Sequence, residues 1–253
     1  MGYADLHIHS IYSYDGTSSI PAILKHVIDH TDLNVIAITD HDTTDGVHEA
    51  MDLAPAYGIE VIPGCEISTA EGHLLGLFID QPVKAGQSLV DTVLQVRQLG
   101  GLCAAAHPMA RGLSSLRIEA IRKALGTHGV AGTLVGVEAF NGGLVYTRRN
   151  PLVAALCQTL PLAQLGNSDS HILQTIGQGS TYFHGKSAAD LRAALIAGAT
   201  RVRRHQVLNG FNVLASYIPL YLLRVLGWAV WNENPRAPLT YARLSRAMGG
   251  RPS

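Results

Sequence analysis

Short apolar runs of strand length alternate with longer amphipathic stretches along almost the whole chain, and this alternation constrains the fold more than any other feature. The strand-length runs are YADLHIHS, NVIAITDHD, IEVIPGCEIS, HLLGLFID, GLCAAAHP, VGVEAF, PLAQLGNSDSH and GSTYFHG. Between them IPAILKHVIDHT, GVHEAMDLAPAYG, SLVDTVLQVRQLGG, SLRIEAIRKAL, NPLVAALCQTL and AADLRAALIAGA read as helices, several starting after Ser or Asn and two closing on glycine. Near-continuous apolar strands separated by helices predict an α/β protein with a parallel sheet covered on both faces. About seven such units in about 200 residues predict a distorted (β/α)7, TIM-like barrel. An open doubly wound sheet is the alternative, and the lack of a Gly-x-Gly-x-x-Gly turn after the first strand removes its usual nucleotide reading.

The 253 residues are 47% apolar and 15% charged, the balance of a globular chain, and a net charge of zero argues against a general polyanion binder. That charge is unevenly spread. From Arg201 onward eight arginines face one acid, Glu233, so the tail is +7 and the preceding residues −7. The reading is a barrel domain over 1–204 and a basic, apolar-helix extension over 205–253. Cys65, Cys103 and Cys157 are isolated and odd in number, so they read as small buried hydrophobes of a reducing cytoplasm. No charged and apolar leader opens the sequence, so no signal peptide is expected.

The polar residues carry the chemistry. His9, His41, Glu66, His107 and Asp169 stand at the C-terminal ends of expected strands, the edge where barrels and open α/β sheets build their sites. Residues i and i+2 of a strand share a face, so His7 pairs with His9 and Asp169 with His171. One strand-end histidine alone is usually an ordinary hydrogen-bonded residue. Six of the twelve (7, 9, 41, 73, 107, 171) gathered with Asp15, Glu66 and Asp169 are not, because unpaired carboxylates there are costly to desolvate. Divalent cations neutralise carboxylates and accept neutral imidazole, and nine N/O ligands without cysteine point to zinc, manganese or iron. Nine ligands exceed what one ion takes, so two or three divalent ions are expected.

In order, DLHIHS, ITDHD, GCEIS, AAAHP and NSDSH resemble the motifs of the polymerase and histidinol phosphatase (PHP) family of metal-dependent phosphoesterases, from about residue 3 to about residue 200. The resemblance implies a distorted barrel with a trinuclear metal centre at its C-terminal mouth. It places His7, His9, Glu66 and Asp169 on one metal, and Asp15, His41 and His171 on a second. His73 and His107 fall on a third, with Glu66 bridging. Asp15 lies in an SYDG turn one residue longer than the family's Ser-Asp-Gly. Asp40, next to His41, is expected to orient an imidazole. Arg111, and Arg148 or Arg149, are placed to grip phosphate oxygens, with Asn141 and Asn150 framing the loop of the latter pair.

The expected reaction is hydrolysis of a small phosphomonoester or nucleotide-like phosphoester, a nucleoside bisphosphate or short oligonucleotide among them, by a metal-activated hydroxide. No Gly-x-Ser-x-Gly elbow supplies a protein nucleophile instead. Two other readings stay open: a metal-dependent hydrolase of a non-phosphate ester or amide, and a non-catalytic, metal-stabilised accessory or membrane-associated protein.

The stretch FNVLASYIPLYLLRVLGWAVW (211–231) is long enough for a membrane helix, but Asn212, Pro219 and Arg224 interrupt it. It is expected to pack on the barrel or a second subunit. Its Trp, Tyr and flanking Arg content also suits peripheral contact, through 208–231, with the inner face of a membrane.

Overall fold

The computed structural model of the chain describes residues 1–109, 114–143, 150–205 and 208–226. In chain order the elements are β1 (Gly2–Ile8), α1 (Ile20–His30), β2 (Val35–Ile38), α2 (Asp45–Tyr57), β3 (Glu60–Thr69), β4 (Gly72–Leu77), α3 (Leu89–Gln98) and β5 (Leu102–Ala105). There follow α4 (Ile118–Leu125), β6 (Leu134–Asn141), α5 (Asn150–Cys157), β7 (Ala163–Asn167), a 3-10 turn (Leu173–Thr175), β8 (Gly179–Phe183), α6 (Ala188–Ile196), β9 (Arg201–Arg204) and α7 (Gly210–Val225).

Nine strands form one sheet in the order β7-β6-β5-β4-β3-β2-β1-β8-β9, curled into a nearly closed barrel. The seam lies between β1 and the end of β7. There His9 N donates to Ser170 O at 2.9 Å, and Asn167 Oδ1 accepts from Leu6 N at 3.0 Å. Close approach at the same seam needs a residue without a side chain, since a Cβ on Gly179 would lie 2.3 Å from Asn167 O.

The sheet is mixed where the sequence pattern suggests a parallel one. β1, β2 and β3 run parallel, as do β5, β6 and β7, but β4 is antiparallel to both β3 and β5. Only two residues, Ala70 and Glu71, separate β3 from β4, and a turn that short permits a hairpin but no crossover helix. Gly72 closes it at φ 141°, where a Cβ would strike the Leu116 backbone. β8 and β9 are antiparallel too, and β9 has no apolar alternation in RVRR to announce it.

The barrel interior is filled from every side. Leu6 of β1, Ala37 of β2, Leu75 of β4, Ala104 of β5 and Leu165 of β7 pack together, closed off by Leu191 and Leu195 of α6. Helices cover the outside through amphipathic faces such as Ile20, Ile23, Leu24 and Val27 of α1, spaced i, i+3, i+4, i+7. The register of β1 against β2 shifts between Asp5 and Ile8. Ala4 and Leu6 accordingly face the interior, whereas Ile8 joins the outer layer with α1. That irregularity turns His7 and His9 inward at the mouth, as a bulge re-aims a side chain.

α7 lies against the barrel mouth. Val213 is buried, the Tyr217 hydroxyl donates to Asp15 O at 3.2 Å, and Arg224 donates to the carbonyls of Gly16 and Ile11. Phe211, Ile218, Leu222 and Val225 remain exposed on its outer side. Among the described residues no helix is long and apolar enough to cross a membrane.

Candidate metal centre

All nine sequence-predicted ligands come together at the mouth. His9 follows β1 directly, and His41 lies three residues past β2, bridged to Glu66. Glu66 is not at a strand end: β3 runs on to Thr69, so the carboxylate projects from mid-strand and His73 enters from β4 beside it. His107 and Asp169 follow β5 and β7, both with left-handed backbone, at φ 26° and 53°. Asp42, at the same rim, has φ 53°. Each such residue costs about 1–3 kcal/mol and persists where its surroundings hold it. His107 N donates to Glu138 Oε2 at 2.6 Å, and Asp42 N to Glu66 O at 3.0 Å.

Glu66 is the centre of the cluster. Its Oε2 lies 3.0 Å from His7 Nε2, 3.2 Å from His9 Nε2 and 3.2 Å from His41 Nδ1. Its Oε1 lies 2.7 Å from His73 Nδ1 and 2.9 Å from His107 Nε2. Asp169 Oδ1 stands 3.4 Å from His7 Nε2 and 3.3 Å from His9 Nε2. Asp15 Oδ2 lies 3.3 Å from His41 Nε2 and 3.1 Å from His171 Nε2.

Three overlapping sets have ligand atoms close enough to share an ion: His7, His9, Glu66 and Asp169; His9, Asp15, His41 and His171; and His41, Glu66 and His73. The first is the expected set. The second is the expected one with His9 added. In the third His41 takes the place expected for His107, which meets the same Glu66 oxygen as His73.

The donor set fits divalent ions. His7 Nε2, His9 Nε2 and His41 Nδ1 are buried without an aligned hydrogen bond, although carboxylate oxygens stand 3.0–3.4 Å away. Ligand atoms about 2.1 Å from a common ion and about 90–110° apart are separated by about 3.0–3.4 Å. Lone pairs that converge without pointing at one another are what shared coordination requires.

The electrostatics agree. Burial pushes the carboxylates up, but the imidazoles around them more than reverse it: Glu66 falls well below the usual carboxylate range, and Asp15 and Asp169 fall too. Burial opposes charge on His9, yet Asp169 and Glu66 raise it to about 10, and His7 is raised for related reasons. The pocket thus demands positive charge at its centre.

Asp40 does something other than expected. Its carboxylate accepts from Ser10 N and Ser10 Oγ, both at 2.6 Å, and so fixes the start of the loop that carries Asp15 instead of orienting an imidazole. The orienting acid is Glu138, on β6, which is not among the residues that the sequence marks as candidates. Its Oε1 lies 2.9 Å from His7 Nδ1 and accepts from Asn167 Nδ2 at 2.7 Å; its Oε2 accepts from His107 N and, at 3.0 Å, from Asn141 Nδ2. The one available signal was an acid inside the apolar strand LVGVEAFN. Tyr14, stacked on His41 with ring centres 4.7 Å apart, was also unmarked.

Asn141 donates to Asp169 Oδ2 at 3.2 Å, and Asn150 bonds both the N–H and the carbonyl of Asn141. The two asparagines tie together the described residues on either side of positions 144–149. Arg111, Arg148 and Arg149 lie outside the described residues.

A PHP domain model matches residues 5–128 and a PHP-associated model residues 147–200. The chain is 35% identical over 147 residues to an uncharacterised protein of Methanocaldococcus jannaschii, a match covering 54% of this chain and 81% of the other. It is 28% identical over 232 residues to a 5'-3' exoribonuclease of Haemophilus influenzae, covering 88% and 75%. Among solved structures, a two-domain protein from Bacteroides vulgatus containing a predicted PHP-like metal-dependent phosphoesterase shares the fold. The TM-score is 0.65 at 20% identity, over 86% of this chain and 69% of that one. Barrel and site together define a metal-dependent hydrolase. The chain belongs to the PHP family of metal-dependent phosphoesterases.

Proposed function

We propose that the protein hydrolyses a small phosphomonoester or nucleotide-like phosphoester, with two to three manganese, iron or zinc ions held by His7, His9, Asp15, His41, Glu66, His73, His107, Asp169 and His171. The observation that carries this is the convergence of five imidazoles on the single carboxylate of Glu66. When bound, such ions supply Lewis acidity toward a phosphoryl oxygen and activate water at neutral pH. The chain's own residues do the rest. Glu138 fixes the ring of His7 so that Nε2 faces the centre, Asp40 holds the Asp15 loop through Ser10, and Asn141 steadies Asp169. Arg111 and Arg148 are proposed to grip the remaining phosphate oxygens; the segment of Arg148 departs from Gly143, which lines the cavity beside His171.

The test is elemental analysis of freshly purified protein together with phosphate release from nucleotides, nucleoside bisphosphates, sugar phosphates and short oligonucleotides. Two to three ions per chain with turnover of one class is the expected result. Bound metal without release from any of them would refute the hydrolytic reading.

A reducing cytoplasm is the proposed compartment, in keeping with three free, buried cysteines. The exposed outer stripe of α7 and the arginines at 236, 243, 246 and 251 support peripheral contact with an anionic membrane surface. Flotation with anionic vesicles tests it, and flotation unchanged by Ile218→Glu with Leu222→Glu would rule it out.

A further inference from the structure

α7 lies beyond both matched family ranges, yet it forms a wall of the cavity that opens on the metal centre. That cavity, about 260 Å³, is lined on one side by Asp15, Asp169 and His171 and on the other by Val213, Leu214 and Tyr217. An apolar cavity of about 150 Å³ holds a benzene ring, so there is room for one ring beside the reacting phosphate.

The chemistry of the lining selects what sits there. Its hydroxyl protons are already committed inside the protein: Ser168 Oγ to His7 O at 3.4 Å, Thr175 Oγ1 to Ile172 O at 2.9 Å, and Tyr217 OH to Asp15 O. The N–H groups of Gly142 and Gly143 are spent on Asn167 O and Asn141 Oδ1. The one charged group of α7, Arg224, is held by the carbonyls of Gly16 and Ile11. Among the described residues, then, the wall away from the ligands presents apolar surface and a tyrosine ring, with its hydroxyl protons already committed and none left for a hydroxyl-rich alcohol. A polyol entering would shed water and find no hydroxyl donor on this wall for its oxygens, whereas an apolar or aromatic group gives up no such bonds.

Building on the phosphoesterase reading, we infer that α7 is a specificity wall and that the organic part of the substrate is an apolar, ring-bearing group, seated against Val213, Leu214 and Tyr217. Sugar and polyol phosphates are the class this wall disfavours.

The experiment compares kcat/KM for benzyl phosphate and glycerol 3-phosphate on manganese-loaded enzyme, two esters whose leaving alcohols are both weakly acidic. A preference for benzyl phosphate on the order of tenfold or more is expected. Leu214→Ala and Tyr217→Ala should each shrink it several-fold, while Tyr217→Phe, which keeps the ring and loses the bond to Asp15, retains it. A ratio near one, or a preference untouched by both alanine variants, overturns the inference with the metal chemistry intact. If neither ester is turned over, the hydrolytic reading is judged on the wider substrate panel alone, and calorimetric binding decides the wall. Benzylphosphonate must then bind wild type more tightly than 2-hydroxyethylphosphonate and lose that advantage in Leu214→Ala; equal binding refutes it.

Discussion

Glu138 Oε1 on β6 lies 2.9 Å from His7 Nδ1 on β1, a bond made across the barrel between two fully buried side chains. The bond places the proton on Nδ1 and leaves Nε2 facing Glu66 and Asp169. Replacing Glu138 by Gln keeps the shape but weakens this orientation. Metal affinity should fall about 10–100-fold with the circular dichroism spectrum preserved. Chelator competition measures it, and unchanged affinity would remove the orienting role.

Glu66 is shared by all three ligand sets save that of Asp15. Glu66→Gln should therefore lose more than one ion per chain and reduce turnover by orders of magnitude. Asp169→Asn should damage the first set while the second retains its ligands. Elemental analysis of the two variants side by side distinguishes these outcomes; equal metal loss in both would contradict a central role for Glu66.

Ions that bind only the folded chain stabilise it by mass action, by about 2.7 kcal/mol at a hundred times Kd. Thermal unfolding in manganese should lie several degrees above unfolding in chelator. Identical melting curves would mean that the cluster does not take the metal.

Arg224 holds two carbonyls of the Asp15 loop. Arg224→Ala should speed amide exchange in α7 and in residues 10–17 together, seen by mass spectrometry. Lysine should restore this only in part, because it lacks the planar fork that reaches both oxygens. Faster exchange in α7 alone would show that the helix and loop are not coupled.

Burial pushes the thiols of Cys65 and Cys103 up and that of Cys157 to about 12. The native protein should therefore be inert to a disulfide reagent at neutral pH and react only on unfolding. Rapid native labelling of any of the three would contradict their burial.

The sequence made the ligands legible because they sit beside strands whose apolar runs are unmistakable. The ladder and its rim follow local rules: an imidazole at i and i+2, a turn after each strand. What lay beyond reach depends on distant chain segments. Glu138 becomes intelligible only when β6 faces β1 across the barrel, and Asp40 turned from imidazole to Ser10 because a neighbouring loop came closer. Asp169 and His171 do share the site, but not by strand alternation, since β7 ends at Asn167 and the backbone turns left-handed at Asp169. The β3–β4 hairpin was written in a two-residue turn and was masked by two runs that each looked like a strand of a parallel unit. The position of α7 at the mouth could not be read from an apolar pattern that suits a barrel, a partner or a lipid surface equally.

The clamp of α7 on the Asp15 loop also orders events in time. During synthesis every one of the nine ligands has emerged once His171 is made, but the arginine that secures the loop of Asp15 follows 53 positions later. A nascent barrel can gather its first set of ligands early and finish the second only when α7 arrives. Metal loading is therefore expected to be stepwise, with the Asp15 position filling after the Glu66 position.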